Sequence, residues 1–289
     1  MVVLVTGSSG QLGQSLQFIA PNYPQIEFVF CNSATLDITD LNNVKQTFKQ
    51  CNPNFCINAA AYTAVDKAES EPEKARLINV VGAKNVAEAC KEHNTILLHI
   101  STDFVFDGNK QSPYLEEDLP NPIGVYGQTK LDGEVEIQKT WKKYFIIRTS
   151  WVYSQFGNNF MKTMLRLASE RATLSVVNDQ IGTPTNAVDL AEVLLKIVTS
   201  YQLPASTYGI YHFSSEGQCS WFDLAKKIFE VSNIKITLLP IPTTAFPTPA
   251  KRPKYSVLDK TKILKTFGIS INKWEVGLIP SRIFKQEKK

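Results

Sequence analysis

Short apolar runs alternate with segments of helical periodicity over the first half of the chain. The apolar runs predict five strands, at residues 2–5, 26–31, 54–58, 95–100 and 144–148. The periodic segments predict helices at residues 11–20, 41–51, 71–92 and around 126–130. Pro21 should stop the first helix, and Asp40 should cap the second. This alternation predicts an open parallel sheet with right-handed crossovers and helices on both faces.

The pattern changes after about residue 150, where proline-containing turns separate shorter elements. Further helices are predicted at residues 159–171, 188–200, 220–231 and 259–266. We therefore expect an α/β fold with a Rossmann-type doubly wound parallel sheet and a smaller C-terminal α/β lobe. Residues 1–150 should form a dinucleotide-binding domain. Residues 151–289 should mainly form a substrate-binding lobe, with some segments returning to the sheet.

The composition is typical of a globular protein and does not indicate a nucleic-acid-binding protein. The chain has 289 residues, of which 43% are hydrophobic, enough for a sizeable core. With 31 basic and 27 acidic residues and no basic stripe with interleaved aromatics, nucleic acid is not an expected partner. Much of the excess positive charge lies near the C-terminus, including the tail Lys285–Lys289, where it could meet an anionic ligand or simply be solvated.

Cysteine and histidine usage points to a cytoplasmic protein without a metal centre. Five cysteines lack any Cys-x-x-Cys spacing and are expected to be reduced thiols. Three histidines form no metal-ligand cluster, and His99 lies in an apolar run typical of a core strand. The apolar start at residues 1–5 is too short for a signal peptide or membrane span, so no membrane association is expected.

A glycine-rich loop joins the first strand to the first helix. Its glycines, Gly7, Gly10 and Gly13, would let the backbone approach a pyrophosphate, whose charge is favoured at a helix N-terminus. Gly7, Gly10, Gln11, Leu12 and Gly13 are therefore candidate cofactor-binding residues. Taken alone, this spacing could also be an ordinary tight turn.

Further cofactor contacts are expected after the second and third strands. The second strand ends at Cys31-Asn32 with neither an acidic residue for the adenosine ribose nor an arginine for a 2′-phosphate, so NADPH and NADH remain equally open. Asp37 could flank adenine or cap a loop. Small side chains after the third strand would let the diphosphate and ribose pass close to the backbone. The candidates here are Asp37, Ile38, Ala59, Ala60, Ala61, Tyr62 and Thr63.

The candidate catalytic residues follow the fourth strand. Thr102 and Asp103 end that strand, and the next helix carries Tyr126 and Lys130 one turn apart on the same face. The lysine charge can lower the pKa of the phenol, and the Thr102 hydroxyl can bind a carbonyl oxygen together with it. Separately these are ordinary residues. Their position after strand four indicates hydride transfer to or from a carbonyl, with Thr102, Tyr126 and Lys130 as the catalytic group.

Six stretches carry a resemblance that runs nearly end to end, at residues 58–70, 101–106, 126–130, 148–153, 178–184 and 247–253. In them the chain resembles the extended short-chain dehydrogenase/reductase superfamily and, within it, the family of dTDP-4-dehydrorhamnose reductases. The resemblance implies reduction of dTDP-4-dehydro-β-L-rhamnose by NADPH or NADH, with Tyr126 donating the proton. It also implies that Tyr126 and Lys130 bind the cofactor. The residues implied for the substrate are Thr102, Asp103, Trp151 and Arg252.

Some members of this family bind magnesium between subunits, using an acidic residue on the first helix. Residues 14–22 of this chain contain no Asp or Glu, so no metal is predicted, and any metal-dependent dimer is in doubt; whether the protein forms a homodimer stays open. Two other functions stay open. One is a sugar-nucleotide epimerase or dehydratase with retained NAD, although only one acidic residue, Asp103, follows Thr102. The other is a non-catalytic regulatory subunit of a methionine adenosyltransferase, against which the presence of Tyr126 and Lys130 argues.

Overall fold

The computed structural model describes residues 1–200 and 204–279, so the basic tail lies outside the described residues. The strands are β1 (Val2–Thr6), β2 (Glu27–Phe30), β3 (Phe55–Asn58), β4 (Ile96–Thr102), β5 (Tyr144–Thr149), β6 (Val152–Tyr153), β7 (Thr173–Val177), β8 (Ile181–Gly182), β9 (Thr185–Asn186), β10 (Gly209–His212), β11 (Cys219–Ser220) and β12 (Thr237–Ile241). The helices are α1 (Gln11–Ile19), α2 (Leu41–Cys51), α3 (Val65–Ala68), α4 (Pro72–Arg76), α5 (Ala83–Glu92), α6 (Val125–Thr140), α7 (Phe160–Glu170), α8 (Ala187–Thr199), α9 (Trp221–Val231) and α10 (Thr261–Phe267).

Six strands form one parallel sheet in the order β10-β5-β4-β3-β1-β2. The α/β class and the five predicted strands are confirmed, to within one or two residues at each end. A sixth strand, β10, comes from beyond residue 200 and extends the sheet next to β5. The strands β2 and β3 lie on opposite sides of β1, so the strand order reverses at β1. This reversal creates a crevice at the carboxyl ends of β1 and β3.

Side chains of the central strands alternate between two buried layers, because successive residues of a strand face opposite sides. Val3 and Val5 of β1 pack under α1, α8 and α10, whereas Leu4 packs under α2, α5 and α6. Strands covered on both faces read as continuous apolar runs, which is why the sequence predicted them well. A separate apolar core joins α7 and α9 to β7 and β12 in the second half of the chain.

The periodic segment at 71–92 is not one helix. A π-helical stretch, Leu77–Gly82, separates α4 from α5. Within it, the buried Asn79 side chain accepts from the backbone N–H of Tyr62 and donates to the Thr129 hydroxyl on α6. The wider turn therefore occurs where a polar side chain ties the loop after β3 to α6, a tertiary contact that periodicity does not reveal.

Cap and redox expectations agree with the structure. The Asp40 side chain accepts from the first-turn N–H groups of α2, and α1 ends at Ile19, two residues before Pro21. All five cysteines are free thiols. Across residues 1–200 and 204–279, no helix combines the length and hydropathy needed to cross a bilayer.

A buried ion pair joins α6 to β5 near the carboxyl end of that strand. Arg148 donates from Nη2 to Glu134 Oε2 at 2.7 Å and from Nε to Oε1 at 3.0 Å, and both side chains are buried. The Ser101 hydroxyl donates to the same carboxylate. The pair thus fixes α6, which carries Tyr126 and Lys130, against β4 and β5.

Removing one partner of this buried ion pair should lower the stability of the fold substantially. We expect Arg148→Met to lower the free energy of unfolding by about 3–5 kcal/mol, because it leaves Glu134 buried and uncompensated. The exposed pair Arg166–Glu170 supplies the control, and Arg166→Met should cost no more than about 1 kcal/mol. Urea unfolding measures both. Equal losses in the two variants would contradict the argument.

Candidate active site

A cavity of about 810 Å³ opens at the carboxyl ends of β1, β3, β4 and β5. Its lining includes nearly every residue that the sequence singled out, although these residues are spread over the whole chain. The candidate residues that line it are Gly7, Gly10, Gln11, Leu12, Gly13, Asp37, Ile38, Ala59, Ala60, Ala61, Thr63, Thr102, Asp103, Tyr126, Lys130, Trp151 and Arg252.

Tyr62 is the exception: it does not line the cavity, and its role as a cofactor contact stays a prediction. Its side chain is buried away from the cavity against Ala68 and Ala75. The phenol donates to Glu71 Oε2 at 2.9 Å. Tyr62 follows Ala61 in the same loop, yet its ring packs against the apolar side of α3 and α4, because burial of a large aromatic ring there stabilises the fold.

The glycine loop is shaped to admit a dinucleotide. Gly7 has φ +65°, and a Cβ there would lie 2.7 Å from Ala60 N, so only glycine fits between β1 and the loop after β3. Gly10 caps α1 with no side-chain hydrogen bond, which leaves backbone donors of the first helical turn free for an anion. These features fit a pyrophosphate at this end of the cavity.

Gln11 and Asp37 make protein contacts besides lining the cavity. The Gln11 carboxamide oxygen accepts from Asn159 Nδ2 at 2.9 Å, which ties α1 to the segment before α7. Asp37 Oδ1 accepts from the backbone N–H and the hydroxyl of Thr39, at 2.9 and 2.7 Å. Of the two roles considered for Asp37, capping its own loop is therefore observed.

Tyr126 lies in the first turn of α6. The Glu69 carboxylate accepts from the Val125 N–H at 2.8 Å and so fixes the start of this helix. The tyrosine ring packs edge-on against Phe104, with centroids 5.5 Å apart. Burial raises the pKa of Tyr126 to about 12, with the Thr102 hydroxyl opposing the shift. The net shift is upward because desolvation of the phenolate outweighs the Thr102 hydrogen bond, and the expected effect of the Lys130 charge stays a prediction.

Lys130 is buried on the same helix face. Its Nζ donates to the Ile100 carbonyl oxygen at 2.8 Å and lies 3.2 Å from His99 Nε2. Burial lowers the pKa of Lys130 to about 8, against the opposing charge of Glu134 one turn further along α6. The lysine is thus held by β4. The raised pKa of the phenol and the lowered pKa of the amine both favour the uncharged form of each group.

Thr102 and Asp103 form a polar pair beside Tyr126. The Thr102 hydroxyl accepts from the Phe104 N–H at 3.2 Å and donates to Asp103 Oδ1 at 3.1 Å. Burial raises the pKa of Asp103 to about 6. Asp103 Oδ2 forms no well-aligned hydrogen bond with any described residue, although the Ser256 hydroxyl is close enough to oppose the rise in the Asp103 pKa. A buried acceptor without a well-aligned partner on the cavity wall suits a ligand hydroxyl.

Trp151 stands at the opposite wall with a left-handed backbone, φ +47°. Its ring stacks on Trp221, with centroids 3.6 Å apart and planes 8° apart. Gly182 packs against the indole so closely that a Cβ there would lie 2.5 Å from Trp151 Cε2. The sequence did not reveal Trp221, which reaches the cavity from the first turn of α9, seventy residues beyond Trp151.

Arg252 reaches the cavity from the proline-rich segment before α10. Two of its nitrogens donate to the Asp66 carboxylate, at 3.0 and 2.8 Å, and Nη1 also donates to the Thr248 hydroxyl. The Arg252 hydrogen bonds hold the pKa of Asp66 below its ordinary value. Asp66 was not predicted as a site residue, although it lies in one of the stretches that carry the resemblance.

A metal centre has no obvious ligands here. Across the parts of the chain that the structure describes, no group of three or more His, Cys, Asp or Glu side chains is placed to hold an ion.

The Trp151 packing generates a testable prediction. Gly182→Ala should push the indole off Trp221 and cost about 1–3 kcal/mol of stability through overpacking. Circular dichroism should then lose the signal of the coupled indoles. Ser175→Ala, at an exposed position on β7, should leave it unchanged. Retention of the coupled signal in the Gly182 variant would refute the assigned packing.

Asp103 generates a pH-dependent prediction. Its folded-state pKa, about 6, exceeds the ordinary value of 3.8, so its contribution to stability is complete below pH 3.8 and is lost as the pH rises through about 6. We expect Asp103→Asn to raise the free energy of unfolding by about 3 kcal/mol at pH ~8 and to change it little at pH ~4. Urea unfolding at both values, with the exposed Glu73→Gln as control, tests this. A gain of equal size at both pH values would be inconsistent with the buried carboxyl.

Comparison with known proteins agrees with this site. Residues 1–283 match the RmlD substrate binding domain family. The dTDP-4-dehydrorhamnose reductase of Aggregatibacter actinomycetemcomitans is 44% identical, over 96% of both chains. A dTDP-4-dehydrorhamnose reductase structure from Clostridium acetobutylicum has a TM-score of 0.91 at 42% identity, covering 96% of this chain and 97% of that one. One from Bacillus anthracis, in complex with NADP, has a TM-score of 0.89 at 43% identity, covering 96% of both. The chain therefore belongs to the dTDP-4-dehydrorhamnose reductase family of extended short-chain dehydrogenases/reductases.

Proposed function

We propose that this protein reduces dTDP-4-dehydro-β-L-rhamnose to dTDP-L-rhamnose, with NADPH or NADH as the reductant. The reaction would be a step of dTDP-rhamnose biosynthesis, which serves polysaccharide biosynthesis. The observation that carries the proposal is the half-buried Tyr126 phenol beside the Thr102 hydroxyl, in a cavity that runs to the glycine loop. Membership of the reductase family supports the choice of substrate.

The cofactor end of the cavity would be formed by the glycine loop and the small residues after β3. Gly7 and Gly10 would admit the pyrophosphate, and Ala59 to Ala61 would leave room for the ribose. When bound, the nicotinamide supplies the hydride that reduces the sugar carbonyl. The NADP in the Bacillus anthracis relative favours NADPH as the first cofactor to test.

Tyr126 would supply the proton. Because its pKa is raised to about 12, the phenol stays protonated at neutral pH and can donate to the O4 oxygen as negative charge develops there. The Thr102 hydroxyl would bind the same oxygen and hold it in line with the phenol. The positive charge of Lys130 would stabilise the phenolate that remains until it is reprotonated. The carbonyl thus gains one hydride and one proton and becomes a secondary alcohol.

The sugar nucleotide would lie between these groups and the opposite wall. Asp103, with its unsatisfied Oδ2, is suited to a sugar hydroxyl, and the Trp151 indole supplies an apolar face for the deoxy sugar. Arg252 would donate hydrogen bonds to the diphosphate while keeping its hydrogen bonds to the Asp66 carboxylate. The substrate contacts thus come from both halves of the chain, with Thr102 and Asp103 before residue 150 and Trp151 and Arg252 after it, whereas the cofactor contacts are assigned to residues before it.

We propose a cytoplasmic location, because the proposed reaction needs both NADPH and a sugar nucleotide. Whether the protein forms a homodimer stays open, and light scattering of the purified protein would measure it.

The function is tested by following NADPH absorbance with dTDP-4-dehydro-L-rhamnose. We expect stoichiometric release of NADP⁺ with dTDP-L-rhamnose, whereas an epimerase or dehydratase would retain its nicotinamide. Tyr126→Phe should lower kcat by about two to four orders of magnitude because the proton donor is lost, with NADPH binding kept. Tyr144→Phe, at the opposite end of β5, is the matched control.

Two outcomes would contradict the proposal. Near-normal turnover of Tyr126→Phe would remove the phenol from the mechanism. A wild-type protein that binds NADPH but turns over no sugar nucleotide would favour the regulatory alternative.

A further inference from the structure

Four buried polar side chains form a continuous chain across the sheet: Thr6 on β1, Asn58 on β3, His99 on β4 and Lys130 on α6. None is more than 2% exposed. The Thr6 hydroxyl donates to Asn58 Oδ1 at 2.6 Å, Asn58 Nδ2 lies 3.1 Å from His99 Nδ1, and His99 Nε2 lies 3.2 Å from Lys130 Nζ. The strands place the first three side by side, because Thr6 pairs with Asn58 and Asn58 with His99 in the parallel register.

We propose that His99 is a positioning residue that fixes the Lys130 amine for the cofactor and the Tyr126 phenol. The inference rests on the proposed function, in which Lys130 serves the reduction. Nothing in the sequence pattern distinguishes His99 from an apolar strand residue. Its place in the hydrogen-bond chain does.

The number of donors on the lysine explains why a partner is needed. A lysine ammonium carries three N–H donors on a flexible stem. The Ile100 carbonyl takes one donor, at 2.8 Å, and His99 Nε2 takes a second in the tautomer that carries its proton on Nδ1. Two fixed contacts from β4 hold Nζ in place and leave a single donor for a ligand in the cavity that Lys130 lines. With only one contact, the amine could rotate and offer that donor in several directions.

A neutral ring suits this role. Burial and the charge of Lys130 hold the pKa of His99 well below its ordinary value, so the imidazole does not repel the ammonium. The other groups facing Nζ are the Ile100 carbonyl on β4 and the Glu134 charge on α6. The Glu134 carboxylate is itself engaged by Arg148 and Ser101. His99 therefore supplies a contact that no other described side chain supplies.

The Thr6 end of this series of hydrogen bonds also contacts the cavity wall. The Thr6 hydroxyl accepts from the Ala60 N–H at 3.2 Å, and Ala60 lies on the cavity wall that would hold the cofactor. In the tautomer with the proton on Nδ1, the imidazole donates to the Asn58 carboxamide. The carboxamide oxygen then faces His99 and its nitrogen faces the Thr6 hydroxyl, the reverse of the amide orientation that places Nδ2 against Nδ1. The loop after β3 and the lysine on α6 are thus linked through buried hydrogen bonds. A break at His99 would leave polar partners unsatisfied on both sides.

The test compares two substitutions at His99 with one at another buried histidine. His99→Leu removes both ring nitrogens at similar volume, and His99→Gln keeps a polar group within reach of Nζ. His212→Leu is the matched control, because His212 is equally buried on β10 but contacts the Tyr114 carbonyl and not the lysine. The measurements are NADPH affinity by fluorescence titration, kcat and KM for both substrates, and thermal unfolding.

We expect His99→Leu to weaken NADPH binding by about tenfold, the effect of one lost positioned hydrogen bond. It should also lower kcat by roughly 10- to 100-fold through misplacement of the lysine. His99→Gln should recover most of both losses. His212→Leu should lose comparable thermal stability while both parameters stay within about twofold of wild type, because its partner lies outside the cavity.

The inference is overturned if His99→Leu and His212→Leu affect NADPH affinity and kcat alike, or if His99→Leu changes only thermal stability. If the leucine variant does not fold, the glutamine variant decides: it should lose less than about fivefold in NADPH affinity, and a larger loss overturns the inference. Failure of the proposed function is separate. A wild-type protein inactive on the sugar nucleotide would overturn that function, while the NADPH titrations would still decide the role of His99.

Discussion

The parallel register of β1, β3, β4 and β5 is the constraint on which the site depends. It places the ends of four strands at one edge, so that Gly7, Ala59, Thr102 and Thr149 meet around a single cavity. The same register aligns Thr6, Asn58 and His99 as neighbours beneath that cavity. A shift of one residue in any of these strands would turn the side chains to the opposite face and separate them. The cavity and its buried hydrogen bonds are therefore consequences of one pairing pattern.

Burial then determines the chemistry of the side chains at this edge. Desolvation disfavours the charged form of every group, so it raises the pKa of Tyr126 and Asp103 and lowers that of Lys130 and His99. A protonated phenol suits a group that gives a proton to a carbonyl oxygen. The raised pKa of the buried Asp103 carboxyl is expected to lower the free energy of unfolding at neutral pH.

Much of the fold followed from local patterns. The helix α2 was predicted at its observed bounds together with its Asp40 cap, because periodicity and capping depend on residues within a few positions of one another. The π-helical stretch before α5 was missed, since Asn79 is drawn to partners on the loop after β3 and on α6. The two-residue strands β6, β8, β9 and β11 were missed too, because strands so short carry no periodic signal.

The sequence by itself determined the alternation of strands and helices over the first half of the chain, the glycine loop and the pairing of Tyr126 with Lys130, because these are set by short-range spacing. It also carried the family resemblance. Only the tertiary structure decided that Tyr62 lies away from the cavity and that His99, Asp66 and Trp221 belong beside it. It alone decided the direction in which each pKa moves. These properties arise from contacts between residues far apart in the chain and from exclusion of water, and no local pattern encodes either.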